Sequence, residues 1–222
     1  MNIYGIIPLG GNATRMNHLP KFLLPCKIGV SLLDNTVYTF KSNSITQIIS
    51  GVSKSNYDLL QNNSEFAKHI VETKTMAQTV YEIIKQINNP IPYKNILIMP
   101  DTYFTITNEL QMVNHKLDTY QVVAVVWRIK DYQIGKVGQC KIVDDEIVDV
   151  IDKNPNCDYP FFWGIIGWNS RCIINPEWET IGELLNYCIK MDIKIGTVVC
   201  ESNYYDCGTY SEYFTMIKNE IP

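Results

Sequence analysis

The chain has 222 residues, 46% hydrophobic and 19% charged, with a formal net charge of −4. That composition supplies a full core and excludes general disorder, and the charge excludes a broad nucleic-acid or membrane-surface footprint. Seven scattered cysteines without a C-x-x-C pair, and three isolated histidines, argue against a disulfide framework or a zinc site.

The N-terminus, "MNIYGIIPLGG", lacks a basic start, and no segment holds the roughly 20 apolar residues that span a bilayer. The expectation is a cytoplasmic protein with reduced thiols. In chain order, "IYGIIPL" reads as a first strand and "LLDNTVYTFKSN" as a helix with Leu33, Val37 and Phe40 on one face. "ITQIISGV" is a second strand, and "MAQTVYEIIKQI" repeats the helical spacing before the strand "ILIMP". Continuous apolar runs alternating with helices predict a Rossmann-like α/β fold: a mixed, mostly parallel sheet with helices on both faces.

From Gln121 to Trp168 short connections such as "VDDE" join the runs "VVAVVW", "QCKIV", "IVDVI" and "FFWGIIGW", predicting a small antiparallel insertion. A helix at 178–191, a strand at 194–199 and a closing helix from about 209 follow. No linker or internal repeat interrupts the sequence, so one domain over 1–222 is expected, without a C-terminal β-helix domain.

The stretch "IIPLGGNATRMNHLPKFLLP" leaves the first strand through Gly10-Gly11 and then places Arg15 and Lys21 six positions apart. Glycines there allow positive φ and close approach of a ligand to the backbone, at the sheet edge where α/β folds bind ligands. Arg15 offers a planar fork for phosphate and Lys21 a compact point charge, which together suit a polyphosphate. Neither G-x-x-x-x-G-K-[ST] nor G-x-G-x-x-G fits, and a Gly-Gly turn with two solvated cations is the competing reading. Asp101 in "ILIMPDTYF" and Asp206 in "YYDCGTY" stand just past apolar runs. Either alone reads as a turn residue or helix cap, whereas two together with a phosphate-type loop suit Mg²⁺ bound with substrate phosphates.

These segments, in this order, resemble the sugar-1-phosphate nucleotidylyltransferases. "PLGGNATRM…PKFLLP" is similar to L-A-G-G-x-G-T-R-[LM]…P-K-x-x-x-P, "MPDTYF" to the G-D-x-x-F segment, and "YYDCGT" to W-x-D-x-G-T. "TMAQTV", "VIDKNP" and "WGIIG" resemble the segment facing the nucleotide, the E-K-P segment and the glycine-containing strand after it. The resemblance implies transfer of a nucleotidyl group from a nucleoside triphosphate to a sugar 1-phosphate with release of pyrophosphate. It implies nucleotide binding at Gly10, Gly11 and Gln78, and charge stabilisation by Arg15 and Lys21. Lys153, with Asp152 and Gly164, would hold the sugar phosphate, and Asp101 and Asp206 would hold Mg²⁺. Lys153 alone would read as a solvated lysine in a polar turn, and Gln78 equally as an exposed helix residue.

The sequence departs from the pattern at Ala13, Pro100, Asp152 and Asn154, and none of these removes a charged group the reaction needs. The spacing of Arg15 and Lys21, and the "MAQT" segment, resemble UTP- and dTTP-using members; the hexose or N-acetylhexosamine is left open. Competing readings are an alcohol-phosphate cytidylyltransferase such as one for choline phosphate, and a nucleotide-sugar-binding regulator without turnover. Expected partners are the two small-molecule substrates, with no nucleic acid and no membrane.

Overall fold

A computed structural model describes residues 1–11, 16–172 and 174–221. The first strand, β1 (Asn2–Leu9), leads through a hairpin of β2 (Pro25–Lys27) and β3 (Val30–Ser31) into α1 (Leu32–Ser42). Ser31 caps α1: its hydroxyl accepts from the Asp34 N–H, and the Asp34 carboxylate accepts from the Ser31 N–H. Then come β4 (Gln47–Val52), α2 (Lys54–Leu60), β5 (Ala67–Ile70), α3 (Met76–Lys85), β6 (Tyr93–Ile98), β7 (Thr102–Phe104) and α4 (Glu109–Lys116). The second half supplies β8 (Val122–Arg128), β9 (Gly138–Val143), β10 (Glu146–Asp152), β11 (Phe161–Asn169), α5 (Glu183–Lys190), β12 (Ile195–Val199), β13 (Tyr204–Asp206) and α6 (Tyr210–Glu220).

The main sheet runs β5-β4-β1-β6-β11-β8-β12-β10-β9. Neighbours on each strand point to opposite faces, and both faces are dry. Ile7, Ile96, Ile98, Val123 and Val125 pack with Leu33, Val37 and Phe40 of α1 and Leu110 and Val113 of α4. On the other face Ile6, Leu97, Ala124 and Ile166 pack with Val80 and Ile83 of α3 and Leu184 and Leu185 of α5. Helices on both faces therefore stand as expected.

The expected predominance of parallel pairing does not. β5, β4, β1 and β6 pair parallel, as do β8 and β12. β11 pairs antiparallel with β6, β8 and β9, and β10 pairs antiparallel with β9 and β12, so antiparallel pairings outnumber parallel ones. The reason is two reversed strands, β11 and β10. β6 and β8 point the same way, and β11 lies between them, turning one potential parallel contact into two antiparallel ones. The β9–β10 hairpin turns on Asp144 and Asp145, both at positive φ (49° and 65°), as a two-residue hairpin turn requires.

Candidate active site

The site lies at the carboxyl ends of β1 and β6, where Gly10-Gly11 and Pro100-Asp101 leave the sheet. A cavity of about 220 Å³ is walled by Gly10, Gly11, Lys21, Asn56, Thr73, Lys74, Thr79 and Asp101. Gly10 is dictated by its neighbours. A Cβ there would lie 2.8 Å from Thr79 Oγ1 and 3.3 Å from Thr73 Oγ1, two hydroxyls that share a 2.6 Å hydrogen bond. Gly11 differs: among the described residues a Cβ would meet nothing within 4 Å. Neither glycine takes positive φ, so the expected left-handed turn is corrected to close packing at Gly10 and open space at Gly11. Arg15 and Ala13 lie outside the described residues.

Lys21 follows Pro20 in a single helical turn, Lys21–Leu23, that swings its chain under the cavity. Its side chain is 10% exposed, and Nζ stands 3.3 Å from Asp101 Oδ2. A buried ammonium needs such a partner, since an uncompensated charge at that depth is costly.

Asp101 and Asp206 are brought together by the small sheet of β7 and β13. Asp206 sits opposite Thr102, and the Cys207 N–H donates to the Asp101 carbonyl at 2.9 Å. Their field is visible on their neighbours. Burial first, and then the Asp206 and Asp101 charges, push the Tyr204 phenol and the Cys207 thiol up. Both carboxylates line a second cavity of about 160 Å³, together with Asp152, Lys153, Gly164, Lys136 and Trp163. The two cavities share Met76, Met99 and Asp101 as a common wall.

Lys153 closes β10 at φ 48°, a left-handed conformation that is uncommon outside glycine, and its N–H donates to the Val137 carbonyl at 3.3 Å. Gly164 lies at a break in the β11–β8 register and leaves room for aromatic rings. A Cβ there would stand 2.6 Å from Tyr204 and 2.8 Å from Trp127. Gln78 is the sequence candidate that the geometry sets apart. It lines a neighbouring recess rather than either cavity, and its side-chain oxygen accepts from the Lys74 N–H at 2.9 Å.

Three contributors escaped the sequence reading. Asn56, 8% exposed on α2, donates to the carbonyls of Leu9 (2.6 Å) and Gly11 (3.4 Å), clamping the chain on both sides of Gly10. Lys74 lines the first cavity and Lys136 the second. Only Lys136 carried a legible signal, the glycine before it.

A pair of carboxylates facing a cavity beside lysines suits a hard divalent cation completed by phosphate oxygens. Among the described residues no cluster of three or more His, Cys, Asp or Glu side chains competes for that role. No described helix is long and apolar enough to cross a membrane.

Scans of the sequence against protein-family models and against curated proteins returned no match. Comparison with solved structures did. A Bacillus anthracis protein assigned as a glucose-1-phosphate thymidylyltransferase, solved with a sucrose, superposes with a TM-score of 0.82 at 17% identity, covering 98% of this chain and 95% of its own. The chain has the sugar-1-phosphate nucleotidyltransferase fold. HddC from Yersinia pseudotuberculosis, complexed with GMP-PN, gives 0.73 at 17% identity over 97% of this chain and 98% of that one. A UDP-glucose pyrophosphorylase complexed with UDP-glucose gives 0.76 at 16% identity over 98% of both chains.

Proposed function

We propose that the protein is a nucleotidyltransferase that joins a nucleoside triphosphate and a sugar 1-phosphate into a nucleoside-diphosphate sugar. An oxygen of the acceptor phosphate forms a bond to the α-phosphorus, the bond from that phosphorus to the α–β bridging oxygen breaks, and pyrophosphate leaves with the electron pair. The acceptor oxygen is already anionic, so no general base is required. The work left to the protein is alignment and charge stabilisation.

The observation that carries this reading is the meeting of two cavities at Asp101, with Lys21 beside it and Asp206 across it. The first cavity takes the triphosphate against Gly10 and Gly11, and Lys21 stabilises charge at the α-phosphate. The second takes the sugar phosphate on Lys153, with Asp152 toward the sugar. Arg15, by the sequence resemblance, neutralises the departing β- and γ-phosphates. Asp101 and Asp206 would hold Mg²⁺, which supplies Lewis-acid neutralisation of the phosphate oxygens when bound. A pyrimidine triphosphate, UTP or dTTP, is the favoured donor, on the motif spacing alone.

Pyrophosphate release tests the reading, with five triphosphates including dTTP crossed against hexose and N-acetylhexosamine 1-phosphates and phosphocholine, each with Mg²⁺ and with EDTA. Release confined to one nucleotide–sugar pair, abolished by EDTA and by Asp206→Asn, is the expected result. Release with phosphocholine alone, or from no pair although nucleotide binds, refutes it.

A further inference from the structure

Two lysines, not one, line the acceptor cavity. Lys136 ends a tight turn over 133–136. Its N–H donates to the Gln133 carbonyl at 2.9 Å, Ile134 has φ −56° and ψ 132°, and Gly135 has φ 75°. These are the angles of a type II turn, which demands glycine at its third position. Gly135 is needed twice over, because a Cβ would also lie 3.1 Å from Pro155 Cα, in the loop that follows Lys153. The turn is anchored from below as well. Gln133, 5% exposed, donates to the Tyr204 carbonyl at 3.3 Å and accepts from the Lys130 N–H at 3.0 Å.

The turn, the Lys153 loop and the strand carrying Asp206 therefore form one fixed unit. On it Lys136 has a side chain 54% exposed, with Nζ 3.9 Å from Glu212 Oε1. Glu212 is held in place, because its other oxygen accepts from the Thr209 hydroxyl at 2.8 Å. A half-exposed ion pair at this distance is weak and readily exchanged for a better anion. Lys136 also borders a neighbouring 260 Å³ cavity against α6, so it stands on the rim with room to turn either way.

We propose that Lys136 is a second binding residue for the acceptor's phosphate, parked on Glu212 and transferred to the phosphate when the acceptor enters. The inference rests on the reading of this cavity as the acceptor site. Charge favours it: the lining holds Asp101, Asp152 and Asp206, so a dianionic phosphate there needs cations, and Lys136 and Lys153 line the same cavity.

The test uses the full chain with Lys136→Met, Lys136→Arg and Glu212→Gln. Steady-state kinetics are run with the sugar 1-phosphate selected by the pyrophosphate assay, and inorganic phosphate serves as a competitive probe. Lys136→Met should raise the acceptor KM and the phosphate inhibition constant by about 10- to 100-fold, the loss of one charge-assisted hydrogen bond. The nucleotide KM should stay within about twofold, and Lys136→Arg should restore most of the acceptor affinity. Glu212→Gln, which keeps an oxygen for Thr209, should lower the acceptor KM. An active enzyme whose acceptor KM ignores Lys136→Met overturns the inference and leaves the proposed reaction standing. An acceptor KM unchanged or raised by Glu212→Gln overturns the exchange. If no pair turns over, calorimetric binding of glucose 1-phosphate decides: equal affinity for wild type and Lys136→Met, or no binding to either, overturns it.

Discussion

Lys21 Nζ stands 3.3 Å from Asp101 Oδ2, joining the segment after β1 to the turn after β6 across the wall that separates the two cavities. The cation proposed for the α-phosphate and a carboxylate proposed for the metal thus hold each other before either meets its ligand. In the proposed reaction, binding of both ligands would replace one ion pair by two. Lys21→Met should lower kcat by about 100-fold or more, the usual loss when a group that stabilises transition-state charge is removed. Asp101→Asn should also lower it, and it leaves Lys21 buried without its counter-charge, so its melting temperature should fall further than that of Lys21→Met. Circular-dichroism melts beside pyrophosphate release check both. Full activity in Lys21→Met would remove this lysine from the chemistry.

The two loop glycines should separate under substitution. Gly10→Ala forces a Cβ to within 2.8 Å of Thr79 Oγ1, which is buried and hydrogen-bonded to Thr73 and to the Thr75 carbonyl. Overpacking of this kind costs about 1–3 kcal/mol. Gly11→Ala meets nothing among the described residues and should leave stability within about 0.5 kcal/mol. Its methyl enters the proposed triphosphate space, so its effect should fall on nucleotide KM. Denaturant titration and kinetics on the same pair of variants check this, and a stability loss in Gly11→Ala with unchanged kinetics would reverse the assignment.

Much of the site was legible because strand ends are legible. The apolar runs ending at Leu9 and Ile98 placed Gly10, Gly11 and Asp101 at one edge of the sheet, and "YYDCGT" placed Asp206 in a second turn. That Asp206 would reach Asp101 depended on pairing between β13 and β7, three-residue strands too short to carry a periodicity. The antiparallel character of the Gln121–Trp168 stretch was legible from its short connections, whereas the entry of β11 into the main sheet between β6 and β8 was not. A strand buried on both faces reads as a continuous apolar run, and such a run does not name its neighbours. The Lys74 contact of Gln78 was not legible, because helical spacing fixes a face, whereas an amide this close to the helix start is drawn to the nearest N–H. Asn56 left no signal at all, since a polar residue in a short helix ordinarily faces water.

Away from the site, Lys94 is a buried charge whose partner Asp118 links stability to pH. Its side chain is 4% exposed, and its ammonium donates to the Asn114 carbonyl at 2.6 Å, the Asn114 side chain at 3.1 Å and Asp118 at 2.6 Å, tying β6 to α4 and the turn that follows it. The hydrogen bond from Lys94, and then its charge, hold the Asp118 carboxyl below the usual range. A folded-state value below the unfolded one contributes stability above the unfolded pKa, near 4, and that stability is lost as pH falls through the folded value. Lys94→Met should destabilise the fold by about 1–3 kcal/mol at pH 7, the worth of hydrogen bonds to a charged group. Asp118→Asn should be less stable than wild type at pH 7 and converge with it in acid. Urea titrations at both pH values check this, and a gap that persists in acid would contradict the linkage.

Base selectivity provides the last expectation, and it bears on Gln78. The resemblance set this residue against the nucleotide, but its side-chain oxygen closes the turn before α3 while its backbone N–H donates to Thr75 Oγ1 at 3.1 Å. On that geometry it stabilises the start of the helix and reads no base. Gln78→Ala should cost about 0.5–1.5 kcal/mol, the net worth of one hydrogen bond, through loss of the Lys74 contact. The order of preference among UTP, dTTP and CTP should stay the same, with each relative kcat/KM within about twofold. The groups that choose the base would then lie on the wall of the first cavity, among Asn56, Thr73 and Lys74. A changed order of triphosphates in Gln78→Ala would instead mean that the amide leaves Lys74 and turns to the base when nucleotide binds.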